Sequence, residues 1–396
     1  MKTTFTPTAP ATRDITTDIL RGFALLGVLL VNAFGYNASF FDFNGFYSQF
    51  TDPVNAKVFT LVVGYAADKF IFIFSFLFGI GFSILYQKYG HDEAHFIRFY
   101  LKRLGILFCF GLLHISLLWA GDILLSYSLL GIVLLLLRKT KTVPLFLLSL
   151  FLYFLPILYI ALESRVPGLP SALSSTGDIA IDQVIATYSK GTWTEIIALR
   201  LHEYAVFRNI NLIYYGPKIL SLFLLGHLGH RLHFLSAIQA RKLYYLLIFA
   251  LSFTCGIFLT AKMEAVIDWM ADAETNPLYT AIYMGVFELA NIFLATGYII
   301  AVVILAGTRP GKRILSPLKY VGRMALTNYL MQSVIFMTLM LSWGFGLFGR
   351  VEPRHLLWIV AAVFAFQIMA SKIWLHYYRF GPLEWIWRKL TYGRIK

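Results

Sequence analysis

Ten apolar runs, each near the length that crosses a bilayer, limit what this chain can fold into. A helical span needs about 20 mostly apolar residues. Runs of that kind fall at 18–36, 69–87, 102–119, 122–137, 143–162, 211–229, 243–262, 278–306, 319–343 and 355–375. Hydrocarbon offers no partner for backbone N–H and C=O groups, so such runs satisfy them internally, as helices. The expected fold class is therefore all-α: a polytopic transmembrane helical bundle, one integral membrane domain over residues 1–396. Composition agrees, since only 14% of residues are charged, against about 25% in a soluble domain.

Two boundaries need argument. The second apolar run begins near Val58, which is too long for one upright helix, so its outer limit is set at Asp68–Lys69 and 54–67 is a short amphipathic lead-in. The first run, Ile19 to Phe34, has no clear small-x-small cleavage site close behind it and many spans after it, so it is a first transmembrane helix rather than a signal peptide.

Orientation follows from Lys and Arg in the connecting segments. The N-terminus, 88–103, 138–142, 230–242, 307–319 and the C-terminal tail, with Arg21, hold 22 of the 34 cations, and the alternate set of loops holds eight. That alternation predicts ten spans with both termini in the cytoplasm. It also accounts for the net charge of +14 without nucleic acid, because the cations sit in short loops between apolar runs. Cys109 and Cys255 lie inside apolar runs, where each is expected as a small core hydrophobe rather than half of a disulfide.

The longest loop, 163–210, is extracytoplasmic in this topology and carries helix signals of its own. Thr192 and Glu195 have capping-box spacing ahead of an apolar stripe, and Ile181, Val184, Ile185 and Tyr188 form a second stripe closed by Gly191. Two surface helices are expected, either as a lid or as a plain connector. No internal repeat is convincing, although Phe76-Leu77-Phe78-Gly79 and Phe223-Leu224-Leu225-Gly226 echo each other.

An ionisable side chain at mid-membrane costs about 2.5–3.5 kcal/mol on insertion scales, so polar residues inside spans need partners, water or a function. His114 sits about one turn below the outer end of its span, and a tight Ala120-Gly121 turn brings Asp122 back to the same depth. A histidine with a carboxylate partner is a common way to orient a general base; the bland alternative is a bonded histidine with Asp122 capping the next helix. Lys69, preceded by Asp68, enters the second span near that depth and is expected either in one pocket with His114 and Asp122 or as a snorkelling interfacial lysine. Glu288 is the acid farthest from any loop, with Asn291 one turn on; it fits a transport site or a hydrogen-bonded structural acid. Asn328 and Gln332, spaced i, i+4, could line a pocket or bond to a neighbouring helix. His227, His230 and His233 lack a Cys or carboxylate at matching spacing, so no metal is expected.

Several motifs recur together: Asp18-Ile19-Leu20-Arg21-Gly22 with Asn32; Lys69 through Gly81; Gly111 and His114 through Trp119, Gly121, Asp122 and Tyr127; Gly322 through Tyr329 with Gln332-Ser333; and Gly381-Pro382-Leu383-Glu384-Trp385. Over essentially the whole chain these resemble the YeiB-type family of bacterial membrane proteins, which implies a bacterial cytoplasmic membrane and no established reaction. That family is in turn similar to transmembrane acyltransferases of the acyltransferase-three and heparan-alpha-glucosaminide N-acetyltransferase types, which share an Arg at the start of helix one and a polar residue eleven positions on, here Arg21 and Asn32. The heparan-type enzymes carry a catalytic His between helices one and two. This chain has none from 33 to 68, so His114 would have to take that role.

What the resemblance implies is an acyltransferase moving an acyl group from cytoplasmic acyl-CoA, a co-substrate rather than a resident cofactor, to an extracytoplasmic glycan or lipid-linked acceptor. His114, Asp122 and Lys69 would be catalytic. Arg21, Asn32, Asp68, Tyr127, Glu288, Asn328 and Gln332 would bind substrate or donor. The alternative is a transporter or lipid flippase with a midplane site around Glu288. Membrane lipids are expected partners, and a homodimer is open.

Overall fold

The computed structural model of the protein describes residues 14–39, 41, 43–163, 166, 169, 179–263 and 277–393. Among them every regular element is helical. Six helices are long and apolar enough to cross a membrane: α1 (Ile15–Asn37), the continuous stretch Pro53–Tyr89, α7 (Thr142–Glu163), α12 (Lys242–Ala261), Tyr279–Ala306 within α13 (Pro277–Ala306), and α17 (Pro353–Tyr377). α6 (Leu124–Leu136) and α16 (Ala325–Met340) are apolar but shorter. α5 (Glu93–Leu117) and α10 (Gly216–Arg231) account for the remaining two runs, and the short helices α2 (Phe43–Ser48), α11 (Phe234–Ala240) and α14 (Arg309–Leu315) lie in the connections. Large apolar side chains such as Leu147, Leu247, Leu251 and Trp358 stand exposed on the outside of the bundle, as lipid-facing positions must. Cys109 is exposed there as well, so it is not the core residue expected from sequence.

The stretch Pro53–Tyr89 breaks where the sequence placed the boundary. α3 (Pro53–Tyr65) is capped by Asp52, whose side chain accepts from the Val54 N–H, and α4 (Lys69–Tyr89) follows Asp68. Asp68 has φ +65°, a left-handed backbone that costs a non-glycine residue energy and is held by its surroundings. The run 319–343 is not one helix. α15 (Leu318–Arg323) ends at Met324, where φ −112° and ψ 39° interrupt the ladder, and α16 starts afresh. The orphan N–H groups of α16 are met from afar: Glu384, on the amphipathic C-terminal helix α18 (Pro382–Tyr392), accepts from Leu326 N–H at 2.7 Å, Thr327 N–H at 3.1 Å and the Thr327 hydroxyl at 2.6 Å. Burial is the larger influence on Glu384 and raises its pKa; these hydrogen bonds oppose it.

Two close crossings set the arrangement of the bundle. α1 packs on α15 and α10 on α4. A Cβ on Gly22 would lie 2.1 Å from the Leu318 carbonyl oxygen, and one on Gly322 would lie 1.9 Å from that of Asp18. The echoing tetrapeptides meet reciprocally: a Cβ on Gly79 would stand 2.1 Å from the Phe223 carbonyl oxygen, and one on Gly226 would stand 2.0 Å from that of Phe76. Small residues let backbones approach where hydrocarbon supplies no other drive to associate.

Within the 163–210 segment two helices form, α8 (Ile181–Lys190) and α9 (Trp193–Asn209), the second with the full capping box between Thr192 and Glu195. A π-helical turn, Ile210–Tyr215, joins α9 to α10. Arg165 and the terminal cations Lys2, Arg13, Arg394 and Lys396, counted in the orientation argument, lie outside the described residues.

Candidate functional site

His114 lies near the end of α5, where the chain turns back into α6, and is 1% exposed. Its Nδ1 is 2.8 Å from Asp122 Oδ1, and its Nε2 is 2.7 Å from the Ser333 hydroxyl on α16. Ser333 in turn is 2.8 Å from the hydroxyl of Tyr36, near the end of α1. Asn32, one turn earlier on α1, hydrogen-bonds Tyr36 as well. The second Asp122 oxygen accepts the Leu125 N–H at 2.7 Å, so Asp122 both caps α6 and holds the histidine. Three elements thus converge on one buried chain of polar atoms: Asp122, His114, Ser333, Tyr36.

A cavity of about 480 Å³ approaches this chain from the cation-rich side. Its lining includes Arg21, Arg103, Arg323 and Arg388, with the acids Asp14, Asp18 and Glu384 among them. Arg21 Nη1 is 3.2 Å from Asp18 Oδ1, and the Arg103 guanidinium lies 3.7 Å from the centre of the Trp387 ring. The wall is apolar and aromatic on the way in and reaches Tyr127 and Tyr329. Tyr127 bonds the Ser75 hydroxyl at 2.6 Å, and the Tyr329 ring centre is 5.3 Å from that of His114. The volume falls within the roughly 300–1,000 Å³ of small-molecule sites.

On the other side the site is covered by α8 and α9. Glu203 accepts from Ser39 at 3.1 Å and from the Tyr188 hydroxyl at 2.5 Å, and Arg200 donates to the Ser116 carbonyl at 3.2 Å, two residues beyond His114. Ser342, just past the end of α16, donates its N–H to the Tyr188 carbonyl at 2.9 Å. Burial lowers the Arg200 pKa, and it raises that of Tyr188 with Glu203 adding to the effect.

Lys69 does not join His114, contrary to the expected convergence. It belongs to a second buried cluster with Asp68, Lys218 and Glu288. Lys218 Nζ donates to Asp68 Oδ2 at 2.8 Å and to Glu288 Oε1 at 2.6 Å. Glu288 also accepts from Tyr214, from Tyr153 at 2.7 Å and from Asn291 at 3.3 Å, while Tyr215 donates to Asp68 at 3.3 Å. Lys69 Nζ is fully buried, has no hydrogen-bond partner among the described residues and lies 4.9 Å from the Phe287 ring centre. Its placement follows from helix rotation: the break at Asp68 turns the first residue of α4 toward α10 and α13, not toward α5.

Asn328 and Gln332 also leave the site. Asn328 Nδ2 donates to Val321 C=O at 3.2 Å and to Ser371 at 3.0 Å, and Gln332 Nε2 donates to Gln367 Oε1 at 2.9 Å. They join α16 to α15 and α17 rather than lining the cavity. The residues that sequence reading missed as site members are Ser333, Tyr36 and Tyr329. Ser333 stood inside a quoted motif, but a serine in an apolar run carries no signal until its partner is known. Among the described residues no group of three or more His, Cys, Asp or Glu is placed to hold a metal.

Residues 230–394 match a family described as "Protein of unknown function (DUF418)". Over nearly its full length the chain is similar to YxaH of Bacillus subtilis (strain 168), 31% identical over 400 residues, 98% of this chain and 96% of that protein. It is similar to a 39.9 kDa protein in the amylase 3′ region of Bacillus acidopullulyticus, 29% identical over 98% of this chain and 96% of that protein. YeiB of Escherichia coli (strain K12) is 29% identical over 96% of each chain.

Proposed function

The chain belongs to the YeiB-like family of proteins of unknown function, DUF418, and within that family we propose that it is a transmembrane acyltransferase using acyl-CoA and a glycan or lipid-linked acceptor. The observation that carries this reading is the pairing of an arginine-lined cavity with a buried His–Asp pair that stands behind Tyr329 in its wall. A CoA donor is an anionic head on a long, less polar arm. Guanidinium groups bind phosphate through charge-assisted, bidentate hydrogen bonds, and Arg21, Arg103, Arg323 and Arg388 line the cavity. The arm would run inward past Phe74 and Phe78 to place the thioester near Tyr329 and His114. His114 is oriented as a base by Asp122, which accepts from Nδ1 and leaves the Nε2 lone pair for a hydroxyl proton.

Calorimetry with acetyl-CoA on the purified protein tests this. Binding should be measurable, and Arg21→Ala should abolish it; because Asp18 is buried and loses its ion pair with Arg21 in that variant, a monodisperse elution peak and helical circular dichroism check that the protein stays folded. Arg21→Lys should restore binding only in part, since an ammonium cannot reproduce a guanidinium fork. No binding by the wild type at about millimolar ligand would overturn the reading.

A second reading, a transporter or lipid flippase, is favoured by one observation: the Asp68–Lys218–Glu288 cluster buried among apolar helices. It makes Glu288 and Lys218, not Arg21, the residues whose loss stops function. Both readings share a setting in the bacterial cytoplasmic membrane with ten spans and both termini inside. A single cysteine in place of Lys190 should then react with an impermeant reagent in intact cells and one in place of Lys139 should not; the reverse would overturn the topology.

A further inference from the structure

We infer that Ser333 is the nucleophile of this site and carries the acyl group as an ester between donor and acceptor. The inference rests on the transferase reading and goes beyond it, since that reading asks only for a base.

Buried serines on the apolar helices find different partners. Ser149 turns back to the Leu145 carbonyl four residues earlier at 2.7 Å, while Ser75 and Ser221 reach across to the Tyr127 hydroxyl and the Ser149 carbonyl, both at 2.6 Å. What sets Ser333 apart is the chemistry of its partner: fully buried, it points across the bundle and bridges the ring nitrogen His114 Nε2 and the Tyr36 hydroxyl. One assignment of protons satisfies every atom in the chain: Tyr36 O–H donates to Ser333, Ser333 O–H donates to His114 Nε2, and His114 Nδ1–H donates to Asp122. That places a hydroxyl at 2.7 Å from a base whose other nitrogen is held by a carboxylate at 2.8 Å, the arrangement in which an alkoxide can form as bonding proceeds. A base awaiting only an acceptor from outside needs no resident hydroxyl in that position.

Ser333 itself does not line the cavity; Tyr329 does, and Ser333 follows it by four residues, about 6 Å along α16, so a movement of the Tyr329 ring is what would open the cavity to Ser333. In the first step Ser333 Oγ bonds to the thioester carbonyl carbon and its proton passes to His114 Nε2. The tetrahedral centre collapses, the carbon–sulfur bond breaks, and the sulfur leaves with the proton from His114 as the free thiol. In the second step an acceptor hydroxyl or amine bonds to the ester carbon and gives its proton to His114. The carbon–Oγ bond breaks and Oγ recovers that proton. The Tyr36 hydroxyl, 2.8 Å from Oγ, is the donor at hand for the oxyanion.

The test uses purified full-length protein and acetyl-CoA labelled in the acetyl group, without acceptor. The wild type should release one equivalent of CoA in a burst and hold one acetyl group on the peptide containing Ser333, removable by alkaline hydroxylamine. Ser333→Ala should bind acetyl-CoA, which checks its fold, yet show neither burst nor adduct. Ser333→Cys should move the adduct to a thioester cleaved by neutral hydroxylamine. Turnover by Ser333→Ala at the wild-type rate, binding by the wild type without an adduct, or label on another residue would overturn Ser333 as nucleophile and leave direct transfer. No acetyl-CoA binding by any variant would overturn the transferase reading together with it.

Discussion

The protein buries two polar clusters, and they are built on different terms. In the Asp68–Lys218–Glu288 cluster the two carboxylates are saturated: one ammonium spans both, and three tyrosines and an asparagine donate to them, while the second ammonium, Lys69 Nζ, has no hydrogen-bond partner among the described residues. The Asp122–His114–Ser333–Tyr36 chain is linear and lies one residue away from a ligand-sized cavity, with Tyr329 between them. The first cluster contains more charge, and on insertion cost alone it would be the prime site. The comparison teaches that buried charge marks a site less well than a directed row of donors and acceptors that meets open space. An ion-pair network can serve as internal scaffold, its desolvation offset by its own partners.

The sharpest way to break this comparison is to damage each cluster and read both activity and stability. His114→Gln should lower acyl transfer by on the order of 10⁶-fold, the scale seen when the histidine of a triad is lost, while a thermal unfolding scan moves little. Lys218→Met should do the reverse. It leaves two acids without their cation and should cost about 3–5 kcal/mol, read as a large fall in melting temperature and loss of a monodisperse elution peak. Transfer activity surviving in His114→Gln, or a stable Lys218→Met protein that has lost all function, would exchange the roles assigned to the two clusters.

The smallest effect sharpens the account of the cover over the His114 chain. The Thr192 backbone N–H, and then its hydroxyl, hold the Glu195 carboxyl below its ordinary range. A carboxyl lowered on folding contributes stability above its unfolded pKa, about 4.3, and that contribution fades as pH falls through the lowered folded value. Hydrogen-exchange protection at the start of α9, corrected for intrinsic rate, should therefore hold from pH 7 to about 4.5 and drop below that. Glu195→Gln should remove the drop and start from weaker protection. An unchanged profile in Glu195→Gln would mean the capping box does not anchor this helix.

Much of the fold was legible residue by residue. The boundary at Asp68–Lys69, the capping box at Thr192 and Glu195, and the tight hairpin joining His114 to Asp122 were all readable, because each depends on neighbours within a few positions. The break at Met324 was not, since the residue that makes it tolerable, Glu384, arrives from the far end of the chain.

What the sequence by itself determined is an all-helical chain of long apolar runs and those helix ends, such as Asp68–Lys69 and Thr192, that nearby residues set. Those follow from hydrophobic length and capping, both local quantities. What only the tertiary structure decided is which polar side chains face one another. A helix apolar on every side has no stripe to orient it, so its rotation is set by contacts such as Gly22 against Leu318 and Gly79 against Phe223. That rotation sent Lys69 to Lys218 and Glu288, turned Gln332 to Gln367, and brought Ser333, one position along the same helix, onto His114.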